Sequence, residues 1–387
     1  MKKVFIALII VFMLSACGTP PKKTQTAKEG GIWLTYYELD KMMNSSGGFR
    51  EEFKKVIENC NKLCIKNLYV HTRAFGQTIY KSDYFTLLKS ARKCDFDVLE
   101  YIINQCKKAD IKVYAWINPY RISSNTDIES VDSESPVYKW LKDEDRQNDR
   151  NVGFANGIYL NPSSSEARKT VLQSIRELTE NYDIDGIHFD DYFYPTTKSD
   201  FDKYSYSEYK LNCENALSLS DWRRENVNLL ISSCRNILEY SGKNIIFSIS
   251  PAASIENNYK NLYADVELWI KNGLVDEIIP QLYFGFMYPD KNFRFDNLLK
   301  RWEEAASLNQ NVTLKIGLGD YKAIPELEPD MDEWQNNSDI IARQVKICDL
   351  DSKVSGYVYF SYSTLTSNKK AYKAQRENLL EYLKTVN

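Results

Sequence analysis

Asp185-Gly186-Ile187-His188-Phe189-Asp190-Asp191-Tyr192 is a short apolar run that ends abruptly in two carboxylates. Side chains alternate along a strand, so Ile187 and Phe189 share one face while His188 and Asp190 share the other. The apolar pair suits packing against helices, which leaves His188 and Asp190 to face the inside of a closed sheet. Seven further apolar or β-branched runs follow the same design, at 31–36, 67–72, 112–117, 244–248, 277–282, 312–316 and 356–360. Amphipathic helical patterns separate them, near 49–65, 95–109, 165–182, 220–240, 260–272, 294–308, 336–349 and 369–385. Asp221 stands near the start of one, and Gly242 and Asn311 fall just past the ends of two.

Eight strands alternating with eight helices over 30–387 predict an α/β chain folded as one (β/α)8 TIM barrel. Strands buried on both faces explain the near-continuous apolar runs. An open doubly wound sheet would carry a glycine-rich first βα turn, and this turn reads Tyr36-Tyr37-Glu38. In such a barrel the chemistry gathers at the C-terminal ends of the strands. Those ends are polar here: His71-Thr72-Arg73, Asn118-Pro119-Tyr120-Arg121, His188 to Tyr192, and Pro280-Gln281-Leu282-Tyr283. The connections after strands three and four, 119–156 and 195–219, are long and are expected to build the cleft.

Composition removes several function classes. The 387-residue chain has a formal net charge of −3 and no Lys/Arg run beyond two residues, unlike a duplex-binding surface. Only two histidines occur, His71 and His188, so His-built metal centres are disfavoured and no metal or organic cofactor is expected. The aromatic share of 13%, with 27 Tyr and 7 Trp, suits a protein that grips sugar faces.

The N-terminus reads as an address. Lys2-Lys3 precede an apolar run at 4–14, whose eleven residues rise about 16 Å as a helix. That is short of the roughly 30 Å hydrocarbon core, so the run reads as a signal peptide rather than a span. Leu14-Ser15-Ala16-Cys17 looks like a bacterial lipobox, with 1–16 removed, Cys17 lipidated and 17–29 a Pro/Lys/Thr-rich tether. The expected product is an extracytoplasmic lipoprotein anchored to the membrane. The other seven cysteines are odd in number and mostly fall in helical patterns, which favours buried thiols over a disulfide framework.

A carboxylate at Asp190 aimed into a barrel mouth, beside a second at Asp191, fits acid/base or nucleophilic work on an acetal. A capping or ion-paired role is the structural alternative. Arg73, Asn118, Arg121, His188, Gln281 and Tyr283 are candidate contacts to sugar hydroxyl or N-acetyl groups, and Tyr192 a candidate stacking surface. Glycoside hydrolysis normally needs a second carboxyl as proton donor. Glu38, Glu256, Asp290 and Asp320 lie at or beyond strand ends, and Asp191 is a further possibility.

The segment 185–195 resembles the glycosyl-hydrolase-like 10 family of bacterial lipoproteins. So do Ala115-Trp116-Ile117-Asn118-Pro119-Tyr120-Arg121, Trp222-Arg223-Arg224-Glu225-Asn226-Val227 and Pro280-Gln281-Leu282-Tyr283. The resemblance implies a barrel glycosidase acting on the glycan strand of peptidoglycan, an N-acetylated polysaccharide, in company with cell-wall or division machinery. It gives Asp190 the role of nucleophile or charge stabiliser, with an unidentified acid. Three positions depart from the pattern: Ala74-Phe75-Gly76-Gln77 lacks an expected Asp, His71 replaces a Gln, and Ala252-Ala253 lacks a bulkier residue after Pro251. A catalytically silent glycan-binding lipoprotein is the rival expectation.

Overall fold

The computed structural model describes residues 27–324 and 329–386. The expected signal peptide, Cys17 and most of the expected tether therefore lie outside the described residues. Eight parallel strands form the barrel: β1 Glu29–Leu34, β2 Ile65–Arg73, β3 Lys112–Ile117, β4 Gly186–Phe189, β5 Ile246–Ile249, β6 Glu277–Ile278, β7 Thr313–Leu318 and β8 Val354–Tyr359. Each pairs with its sequence neighbour, and β1 also pairs with β8, so the sheet closes. Eight outer helices follow in turn: α1 Ser46–Lys62, α2 Val98–Lys108, α3 Ser165–Asn181, α4 Leu219–Tyr240, α5 Val266–Lys271, α6 Phe295–Ala306, α7 Ile340–Leu350 and α8 Lys370–Val386. The expected (β/α)8 barrel is the fold.

Local chemistry explains the helix positions. On α1, Phe49, Phe53, Val56 and Cys60 recur at helical spacing and are buried against the strands. Asp97, Ser164 and Ser218 cap α2, α3 and α4 by accepting from the backbone N–H three residues on. Asp221 is the third residue of α4 and donates its own N–H to that Ser218 hydroxyl (3.1 Å). Where one helix was expected over 260–272, the chain makes two short ones, Ile255–Lys260 and α5, separated by Tyr263 at φ 54°. The strand expected over 277–282 ladders only at Glu277–Ile278. Pro280 has no N–H to give, and pairing resumes as single bridges from Gln281 to Ala252 and Gly317.

Two cores result. The larger lies between strands and helices. The smaller fills the barrel axis with Trp33, Tyr69, Tyr114, Trp116, Ile279 and Val358. Rings of that size fit only where the facing strands carry no side chain. A Cβ on Gly186 would sit 2.3 Å from Tyr114 Cδ1, and one on Gly317 would sit 2.9 Å from the Pro280 carbonyl and 3.1 Å from Trp33 Cη2. At the base of the axis Lys315 pairs with Glu277 (2.7 Å), and the Tyr69 and Tyr114 hydroxyls also reach that carboxylate (3.4 Å each). The seven cysteines after the tether are free thiols, with Cys60, Cys106, Cys234 and Cys348 buried.

The long loop after β3 folds on itself. It carries a helix, Pro136–Lys142, and a small sheet in which Ile158–Leu160 pairs with both Arg121–Ser123 and Val152–Phe154. The loop after β4 carries the helix Lys203–Asn212. Gly186→Ala should destabilise the fold by about 1–3 kcal/mol through overpacking of the axis. Gly47→Ala, where nothing lies within 4 Å of the new Cβ, is the control and should stay within about 0.5 kcal/mol. Urea unfolding compares the two, and equal midpoints would refute the steric account of Gly186 against Tyr114.

Candidate active site

A cavity of about 330 Å³ opens at the C-terminal end of the barrel, where the barrel rule places chemistry. Asp190 lies at its floor, only 4% exposed. Its Oδ2 accepts from Trp116 Nε1 (3.0 Å), and its Oδ1 accepts from the Tyr192 N–H (3.3 Å). One layer deeper, Trp33 Nε1 donates to His188 Nε2 (3.0 Å). That leaves the His188 proton on Nδ1, which donates to Ser248 Oγ (2.7 Å). Each inward side chain of β4 is thus held by an indole N–H, His188 from β1 and Asp190 from β3.

Electrostatics separates these groups. Burial, aided by the Lys315 charge, pushes His188 down to about 3, so the imidazole is neutral at ordinary pH. Burial pushes Asp190 the other way, up to about 7, and the negative charge of Asp191 adds to it. The Trp116 and Tyr192 N–H groups and the Arg121 charge oppose that rise without cancelling it. Asp191 is also raised by burial and held against this by a hydrogen bond from Gln281. Gln281 spends its other effort on the Ser250 carbonyl (3.1 Å), which fixes the amide between the two strands.

Seven of the nine expected binding and catalytic side chains line this cavity: Asn118, Arg121, Asp190, Asp191, Tyr192, Gln281 and Tyr283. Asn118 Oδ1 accepts from the Arg121 backbone N–H (3.1 Å), which turns the chain sharply after β3. Tyr192 is 47% exposed at the rim, and Tyr283 stacks on Phe360 (centroids 5.5 Å apart).

Arg73 and His188 are corrections to the expected contact set, since neither reaches the cavity. Alternation would carry Arg73 inward after His71. The β2–β3 register slips between these residues, and the Arg73 side chain turns beneath the following loop. There it is fully buried, stacked over Phe85 (4.2 Å) and donating to the Pro119 carbonyl (3.3 Å). His188 does face the axis, but the indole of Trp33 closes over it. Trp116 lines the cavity, with one face covered by His71, stacked 3.5 Å away at 9°.

The proposed second carboxylates divide clearly. Glu38 Oε2 accepts from the Thr35 N–H (2.6 Å) and hydroxyl (2.8 Å), and Oε1 accepts from Ser361 Oγ (3.0 Å), so it ties β1 to β8. Glu256 pairs with Lys260 on the surface, and Asp290 caps a short 3-10 turn. Asp320 is buried beside Thr364, and burial pushes its carboxyl well above the usual range. None of these four lines the cavity. Among the described residues, Asp190 and Asp191 are its carboxyl groups. No cluster of three or more His, Cys, Asp or Glu suited to a metal occurs among the described residues.

Aromatic residues immediately after the strands are the part that sequence reasoning missed. Tyr36 and Tyr37 follow β1, Phe75 follows β2, and Tyr321 follows β7, all lining the cavity. Their position just past a strand end was the available signal, and among the aromatic residues there only Tyr192 and Tyr283 were read from it. The long loops were expected to form the cleft. Of 119–156 only Arg121 lines the cavity, and no residue of 195–219 does.

A buried carboxyl raised to about 7 makes a stability prediction. The folded state holds a proton that the unfolded state has released, so stability is greatest below the unfolded carboxylate pKa and falls as pH rises through about 7. Asp190→Asn removes that penalty. The variant should melt higher than the wild type at pH 8, by up to about 4 kcal/mol, with the difference vanishing near pH 4. Calorimetry across that range tests this, and a pH-independent difference would refute it.

Three comparisons bear on this geometry. The chain is 27% identical over 344 residues to Glycosyl hydrolase YngK of Bacillus subtilis (strain 168), covering 82% of this chain and 64% of that protein. The chain thus spans just under two thirds of that relative. It is also 27% identical over 410 residues to Glycosyl hydrolase DigH of Escherichia coli (strain K12), covering 95% of this chain and 89% of that one. The glycoside hydrolase domain of PgaB (BpsB) from Bordetella bronchiseptica shares the fold with a TM-score of 0.60 at 13% identity, covering 91% of this chain and 99% of that domain. The Glycosyl hydrolase-like 10 family model matches residues 29–336. The chain belongs to the Glycosyl hydrolase-like 10 family.

Proposed function

We propose that this chain hydrolyses an N-acetylated cell-wall glycan strand of the peptidoglycan type. The observation that carries the reading is the Asp190–Asp191 pair at the floor of the cavity, with Asp190 held near pH 7 by burial and by its neighbour. A proton donor works best when its pKa lies near the operating pH, and two carboxyls with unequal environments divide into acid and base. Asp190 is accordingly the acid that protonates the leaving oxygen. Asp191, oriented by Gln281, is the partner carboxyl that, once ionised, stabilises the developing oxocarbenium charge or activates water. This reverses the role that family resemblance alone gives Asp190. The rim aromatics Tyr37 and Tyr192, 62% and 47% exposed, are suited to stacking on sugar rings. The two curated relatives are named glycosyl hydrolases, which supports the activity class.

The site of action we propose is outside the cytoplasm, at a membrane surface, through lipidation of Cys17. The sequence 14–17 and the tether that follows support it. Cys17→Ser should move the protein from the membrane fraction to the soluble extracytoplasmic fraction. Unchanged fractionation would argue against a lipid anchor.

The activity test uses the full chain in detergent with peptidoglycan strands freed of stem peptides, and mass spectrometry of the products. Activity should fall as pH rises through about 7, because Asp190 then loses the proton it must give. Asp190→Asn and Asp191→Asn should each lower kcat by about 10²–10⁴. Release of no fragments by the wild type, with the strands still bound, would replace the hydrolase reading with that of a glycan-binding protein.

A further inference from the structure

The two long loops that follow β3 and β4 build a second cavity, at the same end of the barrel as the first. It measures about 760 Å³ and lies between 141–161 and 200–205. That is within the roughly 300–1,000 Å³ of ligand sites. Three contacts hold it in shape. The Phe201 ring sits on the bare backbone of Gly153, where a Cβ would come within 2.2 Å of Phe201 Cζ. Arg223 of α4, fully buried, donates to both Asp202 oxygens (2.9 and 2.6 Å) and to the Thr196 and Lys198 carbonyls (3.3 and 2.7 Å), which ties down the loop after β4. Arg150 Nη1 pairs with Glu208 Oε2 (2.8 Å) and so joins one loop to the helix Lys203–Asn212 of the other. Two large rings border the cavity, Phe154 from the first loop and Tyr204 from the second, 47% and 63% exposed. Lys203 Nζ stands over one face of the Tyr204 ring (4.8 Å), which leaves the other for a ligand. Around the rings stand Arg146 and Lys203 as donors and Asp149 and Asp200 as acceptors. All four are exposed and outside every ion pair among the described residues.

We propose that the cavity between the two long loops is a second, non-catalytic binding site for the glycan strand, holding a stretch of it away from the bond being cut. The proposal rests on the hydrolase reading above and concerns how the strand is held. Rings stack on the C–H faces of sugars, and a hydroxyl is donor and acceptor at once, so a lining that offers both suits it. Both free carboxyls are open to solvent, whereas the chemistry proposed for the first cavity rests on the buried Asp190. The second cavity therefore holds glycan without cutting it. The loop sheet sets its distance from the first. Tyr159 pairs with Arg121 on one side and with Gly153 on the other. Two strand spacings put those backbones about 10 Å apart. Arg121 lines the first cavity and Gly153 the second. A strand long enough to fill both gains the second contact at the high effective concentration of so short a span.

The test separates the glycan of the activity assay by length, into long strands and the shortest oligosaccharides that the wild type cleaves. Wild type and two double variants, Phe154→Ala with Tyr204→Ala and Phe154→Trp with Tyr204→Trp, are assayed as full chains in detergent. The alanine variant should raise KM for long strands by about 10-fold with kcat unchanged, and should match the wild type on the short oligosaccharides. The tryptophan variant keeps a ring at each position and should stay within about threefold of the wild type on both lengths. An unchanged KM of the alanine variant for long strands would overturn the proposal and leave the hydrolase reading intact. So would a rise that is equal on long and short substrates, including one caused by misfolding seen in circular dichroism and shared by the tryptophan variant. Cleavage of neither length by a folded wild type would overturn the hydrolase reading, and this proposal with it.

Discussion

Filling the axis of an eight-stranded parallel barrel is the constraint on which the rest of this structure depends. Strand tilt leaves a column that side chains must occupy at close packing, because an empty column forfeits dispersion contacts on every side. This chain fills it with Trp33, Tyr69, Tyr114 and Trp116 rather than with branched aliphatics. Large rings demand gaps opposite them, supplied by Gly186 and Gly317. They also bring polar atoms into a dry interior, where each must find a partner or cost free energy. The indole N–H groups are the strongest such demand, and β4 answers both with His188 and Asp190. The floor of the cavity is therefore a by-product of satisfying the core.

That origin accounts for the electrostatics. Asp190 is raised because it is buried at the top of an aromatic column beside the charge of Asp191, and the hydrogen bonds it accepts from Trp116 and Tyr192 offset only part of that rise. His188 is lowered for the same reason with the opposite sign. Neither shift requires a strained backbone or a special loop. They follow from where β4 runs and from what β1 and β3 place beside it.

The fold was legible in the sequence because each barrel strand is buried on both faces and each helix on one, and those two patterns differ. Within 185–192, alternation put Asp190 and His188 on the inner face, as found. The same rule failed for Arg73 because a register slip between His71 and Arg73 is a relation between two strands, which one strand's sequence does not carry. It also failed to rank depth: His188 and Asp190 share a face, but only knowledge of Trp33 across the barrel tells which is covered. The aromatic rim at Tyr36, Tyr37 and Phe75 was invisible for a different reason. Buried and sugar-facing rings have the same composition, and only exposure distinguishes them.

The loop sheet after β3 gives the cleft an unusual kind of adjustability. Arg121 belongs to two structures at once, opening the outlying strand that pairs with Ile158–Leu160 and closing one wall of the cavity. The carboxylates directly follow β4, Asp190 held by Trp116 of the packed column and Asp191 by Gln281. Changes within 122–160 can thus shift the guanidinium, and with it one of the charges that holds Asp190 down, while the carboxyl pair itself keeps its place. The cationic wall and the carboxyl floor of one cavity are thus carried by separate mechanical elements, a loop sheet and the barrel.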